Sequence, residues 1–84
     1  MEVILCAVLD DKVGAFAQVM QFPTRGVALR SFMDEVSRPD SEIAKYSSDF
    51  SFYYLGTLDQ VSGFISQPAM PERLASASDF VVNV

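Results

Sequence analysis

The segment from Phe22 to Asp59 constrains the fold most, because it places the most regular helix pattern of the chain ahead of an aromatic strand pattern. One apolar stripe has the i, i+3, i+4, i+7 spacing of a helix face and consists of Leu29, Phe32, Met33 and Val36. Thr24 suits the N-cap of such a helix, and Pro39 cannot continue it. The spacing therefore predicts one main helix that ends near Ser37 or Arg38.

Two apolar runs before the helix predict strands. Val3 to Leu9 is almost continuously apolar, which favours a central strand covered on both faces. Ala15 to Phe22 predicts the returning strand, and Pro23 ends it. The large side chains expected on one face of this second strand are Phe16, Met20 and Phe22.

Two further strands are predicted after the helix. Asp49 to Leu58 has the period of two, which separates two sets of side chains onto opposite faces. One set is Phe50, Phe52 and Tyr54, and the other is Ser51, Tyr53 and Leu55. Phe64 to Ser66 predicts a short fourth strand.

Two similar loops connect these strands, since Asp10–Gly14 and Asp59–Gly63 each end in a glycine that suits the left-handed region. The likeness indicates either a repeated hairpin or a chance similarity of hairpin turns. Residues 67–72, with Pro68 and Pro71, predict a linker to the C-terminal segment. Residues 71–77 favour one or two helical turns, and residues 80–84 favour an edge strand or a frayed tail.

These patterns together predict an α+β fold, with residues 1–84 forming a single small domain. An antiparallel sheet of two hairpins, in ββαββ order, packs on one main helix, with a short C-terminal helix or strand. Half of the residues are hydrophobic, which is high for so small a surface and predicts a homo-oligomer or another covering partner.

The composition argues against most catalytic and metal chemistry. The chain has no His, which removes the usual general base near neutral pH and the commonest metal ligand. Its lone Cys6 lies in an apolar run and is expected to be a buried small hydrophobe. Adjacent carboxylates such as Asp34 and Glu35 point apart on a helix. We therefore expect no enzyme activity, no metal site and no cofactor, and the short apolar runs predict neither a membrane span nor a signal peptide.

One constellation suggests nucleic-acid binding. Exposed aromatic side chains on a sheet stack unpaired bases, and nearby cations hold phosphates. The candidates are Tyr53 for stacking and Arg25, Arg30, Arg38 and Lys45 for phosphates. The net charge of −5 opposes this, and four acids in the same stretch bring its formal sum to zero. The alternatives are a mixed solvated face for the cations and a subunit interface for Tyr53.

The spacing of several short motifs resembles that of the small nonstructural protein of gokushovirus-type microviruses, which are circular single-stranded-DNA bacteriophages. The similar pieces are Ala15-Phe16, Pro23-Thr24, Val27–Asp34, Pro39-Asp40-Ser41, Lys45, Asp49-Phe50, Leu55-Gly56, Asp59, Gly63, Pro71, Leu74 and Phe80. This chain departs from the family pattern at Tyr46-Ser47-Ser48, where a His-Pro-Glu-like segment is frequent, and at Thr57-Leu58, where Phe-Asp is frequent.

The resemblance implies an accessory protein that acts in viral single-stranded DNA synthesis or packaging in the host cytoplasm. It would bind single-stranded DNA or viral or host replication proteins, and the family supplies no catalytic residues. The alternative is a protein-interaction module, a homo-oligomer that binds a replication or assembly factor without touching DNA.

Overall fold

The computed structural model describes residues 1–81 and shows a six-stranded antiparallel sheet with helices on one side. The strands are β1 (Glu2–Asp10), β2 (Ala15–Phe16), β3 (Met20–Phe22), β4 (Phe50–Asp59), β5 (Ile65–Ser66) and β6 (Glu72–Ser76). The helices are α1 (Arg25–Ser37) and α2 (Glu42–Lys45), with 3₁₀ helices at Ser47–Asp49 and Ala77–Phe80. The predicted α+β class and the two hairpins around one main helix are confirmed.

The long strands β1 and β4 pair along their whole length and form the centre of the sheet. β2 and β3 pair in succession with the outer side of β1, and β5 and β6 pair in succession with the outer side of β4. The register between β1 and β4 shifts where Leu5 opposes Gly56 and Cys6 opposes Tyr54, which is a β-bulge on β4.

The two hairpin turns have the same geometry. In each, the Asp Oδ1 accepts hydrogen bonds from the backbone N–H groups two and three residues ahead, at 3.0 and 3.3 Å for Asp10 and at 2.9 and 3.4 Å for Asp59. Gly14 and Gly63 adopt φ of 78° and 79°, so the predicted left-handed glycines are confirmed. Each turn is followed by two short strands on one long strand, which favours the repeated hairpin over a chance similarity.

The core lies between the sheet and α1. Thr24 caps α1, because its Oγ1 accepts the Val27 N–H at 3.1 Å. The ring of Phe32 stacks on that of Phe52 with centroids 4.7 Å apart, and Phe22 meets Phe52 edge to face at 6.2 Å. The buried face of the helix is Ala28, Phe32 and Val36, and Cys6 is buried beneath it as predicted.

Three sequence predictions about faces are wrong. Met33, expected in the helix stripe, is exposed, because the helix turns Ala28 toward the sheet instead. The predicted second strand is interrupted between Phe16 and Met20. Because three residues intervene, Met20 and Phe22 point to the face of the sheet opposite that of Phe16. β1 is central as predicted, but helices cover only one of its faces, and Leu5 is only half-buried on the other.

The C-terminal prediction also needs correction. Residues 72–76 form strand β6, which pairs with β4, instead of the helical turns expected from residue 71 to residue 77. Residues 77–80 form a 3₁₀ helix whose Phe80 packs against Phe32. The edge strand or tail expected over residues 80–84 therefore does not begin at Phe80, and its last three residues lie outside the described part of the chain.

Candidate binding face

The helices of residues 1–81 all lie on one face of the sheet, and we call the other face the open face. Alternation along β1 directs its even-numbered side chains toward α1 and its odd-numbered side chains to the open face. Residues that oppose one another in neighbouring strands point to the same face of the sheet. The strand register therefore identifies the open-face residues of the other five strands. The open-face side chains are Val3, Leu5, Ala7, Leu9, Phe16, Gln21, Ser51, Tyr53, Leu58, Ile65, Arg73 and Ser76.

The open face is unusual in its chemistry. The solvent side of an antiparallel sheet is normally polar, yet most of these strand positions are apolar. None of them carries a carboxylate, although the chain has 11 Asp and Glu residues, and their one charge is that of Arg73. The fold therefore separates the acids from this face.

An aromatic pair lies on the open face. Tyr53 and Phe16 meet edge to face, with ring centroids 5.5 Å apart and planes at 83°. Phe16 lies on this face because it opposes Leu9 of β1, whose side chain points to the open face. Tyr53 lies there because it opposes Ala7 of the same strand. Arg73 opposes Tyr53 on the other side, and its guanidinium donates to the Ser76 hydroxyl. Two partly exposed rings and one cation thus share this surface.

The predicted cations lie on the other side of the sheet. Arg25, at the start of α1, donates to Glu72 at 3.1 Å and stacks over the Tyr54 ring at 4.3 Å. Arg38 pairs with Glu35 at 2.6 Å.

Lys45 lies on α2, 5.4 Å from the ring centroid of Tyr46. Arg30 is exposed on α1, and no ion pair forms between it and Asp34. The structure therefore does not bring the four predicted cations together with Tyr53.

Phe16 and Arg73 are the residues of this face that sequence reasoning missed. The sequence predicts Phe16 on the same face as Phe22, because a continuous strand keeps the period of two. It predicts a helical segment around Arg73. A signal for Arg73 was available in the alternation of Glu72, Arg73 and Leu74, but three residues are too few to identify a strand.

Two titratable groups are perturbed by their surroundings. Burial raises the pKa of the Cys6 thiol to about 11, although the Arg25 guanidinium acts in the opposite direction. Hydrogen bonds from the backbone N–H groups of Val61 and Ser62 lower the pKa of Asp59. Both shifts follow from structural roles, in the core and in a turn, and neither group lies beside Tyr53.

Within residues 1–81, no group of three or more His, Cys, Asp or Glu side chains could hold a metal ion. None of the helices in that range combines the length and the hydropathy that crossing a membrane requires.

The fold and its open face define a small α+β protein with one apolar, carboxylate-free sheet surface. The family model described as Phage ORF5 protein matches residues 3–80, so this chain belongs to the Phage ORF5 protein family. It is thus a phage protein. No curated protein and no solved structure gave a significant match to it.

Proposed function

We propose that this phage protein is a nonstructural accessory protein of a single-stranded-DNA phage, acting in viral DNA synthesis or packaging in the host cytoplasm. In this proposal the open face contacts unpaired DNA. Phe16 and Tyr53 stack on bases, and Arg73 contacts a phosphate. The observation that carries the proposal is this aromatic pair beside a cation on a surface without carboxylates.

The net charge of −5 weakens binding to DNA, but the strand positions of the open face carry no carboxylate. The strand acids nearest the aromatic pair and Arg73 are Asp10, opposite Phe50, and Glu72, opposite Tyr54, and both point to the helix side of the sheet. Exposed charges that lie farther apart than the Debye length, about 8 Å at physiological salt, repel one another only weakly. Stacking of about 1–3 kcal/mol per base would therefore supply most of the affinity.

The salt dependence distinguishes the open face from the helix side. Each phosphate neutralised on a single strand contributes about −0.7 to the slope of log K against log salt. Arg73 alone predicts a slope near −0.7, whereas Arg25, Arg30, Arg38 and Lys45 acting together predict a slope of about −2.8. The role of those four cations stays a prediction.

The test is fluorescence anisotropy of a labelled single-stranded oligonucleotide at several salt concentrations. Tyr53→Ala should raise the Kd about 5- to 150-fold, the equivalent of one lost stacking contact. Arg30→Glu, on the opposite side of the sheet, tests the predicted cations: it should change the Kd much less than Tyr53→Ala if DNA lies on the open face, and more if DNA lies on the helix side. Equal affinity of the wild type and Tyr53→Ala would remove the open face from the DNA site.

The alternative is a protein-interaction module without DNA contact. The observation that favours it is the aliphatic content of the open face, where Leu5, Leu9 and Leu58 are only half-buried. A single cation among such side chains suits an apolar protein interface better than a phosphate track. This alternative predicts no oligonucleotide binding at low salt, and an interaction with a replication or assembly factor that Leu9→Asp abolishes.

A further inference from the structure

The second hairpin, formed by β4 and β5, ends in exposed apolar side chains. We call this end the apolar tip, and its residues are Val61, Phe64 and Ile65. Their exposed fractions are 85%, 70% and 46%. Within the part of the chain that the structure describes, none of residues 55–66 belongs to the core or packs against it. The hairpin thus carries the apolar tip past the core, in a molecule that measures 47 by 24 by 17 Å.

The side chains of the apolar tip point in different directions. Ile65 opposes Leu58 and points to the open face. Phe64, one residue earlier, points to the helix side, because side chains alternate along a strand. Val61 lies in the turn itself. A flat partner surface would cover only one of these faces, so a single partner that covers all three side chains has to surround the end of the hairpin.

The backbone N–H groups of this turn are already hydrogen-bonded within the chain. Those of Asp59, Gln60 and Gly63 donate to backbone carbonyl oxygens, at 2.8, 2.8 and 2.7 Å. Those of Val61 and Ser62 donate to the Asp59 carboxylate, and that of Phe64 donates to the Ser62 hydroxyl at 3.1 Å. An unpaired N–H group is costly in an apolar medium. All six N–H groups from residue 59 to residue 64 avoid that cost.

The first hairpin shows that this turn geometry does not require apolar side chains. Its turn contains the same hydrogen bonds from an Asp and the same left-handed glycine. Asp11 and Lys12 occupy the positions that Gln60 and Val61 occupy in the second turn. The apolar tip is therefore not needed to form the hairpin, which favours a role in contact with a partner.

We propose that the apolar tip inserts into the interfacial region of a lipid bilayer. A bilayer surrounds an inserted hairpin end on all sides, which suits apolar side chains on both faces and in the turn. The internal hydrogen bonds meet the condition that backbone polar groups must be satisfied in lipid. Attachment of this kind needs no membrane-spanning helix, and its strength scales with the apolar area that enters the bilayer.

The charges near the apolar tip indicate the depth of insertion and the type of lipid. Asp59 opposes Glu2 across the central strands, at the level of Phe64. Two carboxylates at this level limit insertion to the depth of the lipid headgroups. Residues 1–11 and 46–72 contain no Lys or Arg, the side chains that attract anionic lipids. We therefore expect a zwitterionic bilayer to bind the protein more strongly than an anionic one.

Cosedimentation of the full chain with lipid vesicles tests this inference. The wild type should pellet with phosphatidylcholine vesicles, and less of it should pellet when the vesicles also contain phosphatidylglycerol. Phe64→Ser should weaken the binding about 5- to 30-fold, because it removes a ring that is 70% exposed in the free protein. Val13→Ser, at a side chain 73% exposed in the first turn, is the matched control and should leave the binding unchanged.

A fluorescent side chain identifies the end that inserts. The chain has no Trp, so Phe64→Trp places a single indole at the apolar tip. Val13→Trp places one at the opposite turn as the control. Phosphatidylcholine vesicles should shift the emission of Phe64→Trp to shorter wavelength and leave that of Val13→Trp unchanged.

Three outcomes would overturn the proposal. A wild-type chain that stays in the supernatant with both kinds of vesicle would favour a protein pocket that encloses the apolar tip. Unchanged vesicle binding by Phe64→Ser, folded by circular dichroism, would remove the tip from the contact. An emission shift in Val13→Trp alone would assign the contact to the other end. The inference goes beyond the proposed function, and Tyr53→Ala separates the two, because it should weaken DNA binding and leave vesicle binding unchanged.

Discussion

Neighbouring aromatic residues of β4 should differ sharply in what they contribute to stability. Phe52 is completely buried and makes two aromatic contacts, a stack on Phe32 at 4.7 Å and an edge contact with Phe22 at 6.2 Å. Each such contact contributes about 0.5–1.5 kcal/mol beyond the buried area. Phe52→Leu retains most of the apolar volume but removes both contacts, so it should lower the free energy of unfolding by about 1–3 kcal/mol.

Tyr53 is the matched control, one residue along the same strand but on the open face. It makes one edge contact, with Phe16 at 5.5 Å, and is only half-buried. Tyr53→Leu should therefore lower the free energy of unfolding by less than about 1 kcal/mol.

Urea unfolding followed by far-ultraviolet circular dichroism measures both values. A domain of this size has a stability of roughly 4–13 kcal/mol, so both variants should remain folded. A loss of 2 kcal/mol in Phe52→Leu corresponds to a Tm lower by roughly 8–16 °C. If Tyr53→Leu cost as much as Phe52→Leu, the assignment of faces, and with it the candidate binding face, would be wrong.

Three further substitutions test local features. A Cβ at Gly56 would lie 2.7 Å from the Ser66 carbonyl oxygen, so Gly56→Ala should displace β5. Urea unfolding should show a free energy of unfolding lower by about 1–3 kcal/mol. Gly26→Ala on α1 is the control and should be neutral or stabilising. The pKa of Cys6 is raised to about 11 from 9.0, so the neutral thiol stabilises the fold fully below pH 9 and this contribution is lost as the pH rises toward 11. Thermal unfolding should show that loss in the wild type but not in Cys6→Ala, and a thiol reagent should react slowly with the folded protein at pH 8. Thr24→Ala removes the N-cap acceptor of α1 and should cost about 1 kcal/mol in urea unfolding; an unchanged midpoint would show that the cap is dispensable.

The features that the sequence predicts best are those decided by neighbouring residues. The turns at Asp10 and Asp59 depend on a carboxylate and a glycine within five residues, and both form as expected. The start of α1 depends on Thr24, and α1 ends at Ser37, two residues before Pro39. In each case the hydrogen bonds that determine the conformation lie within one turn of backbone.

The features that the sequence predicts poorly depend on distant partners. Residues 72–76 contain Glu, Arg, Leu and Ala, which favour helices locally, but pairing with β4 makes them a strand. The face of Phe16 depends on an interruption that carries no local turn signal. As a result, the sequence placed Tyr53 on the face opposite Phe52 but could not place it beside Phe16 and Arg73, or on the side opposite Arg25.

The pairing of β1 with β4 has a consequence for synthesis on the ribosome. β1 ends at Asp10 and its partner ends at Asp59, so the central ladder joins residues far apart in the chain. At about 5–20 residues per second, the apolar β1 waits roughly 2–10 seconds for β4 to emerge. During that interval the first hairpin and α1 can form, but the edge of β1 that pairs with β4 stays unpaired. Translation speed and chaperone access in this window should therefore influence the yield of folded protein more than they would in a protein of local contacts.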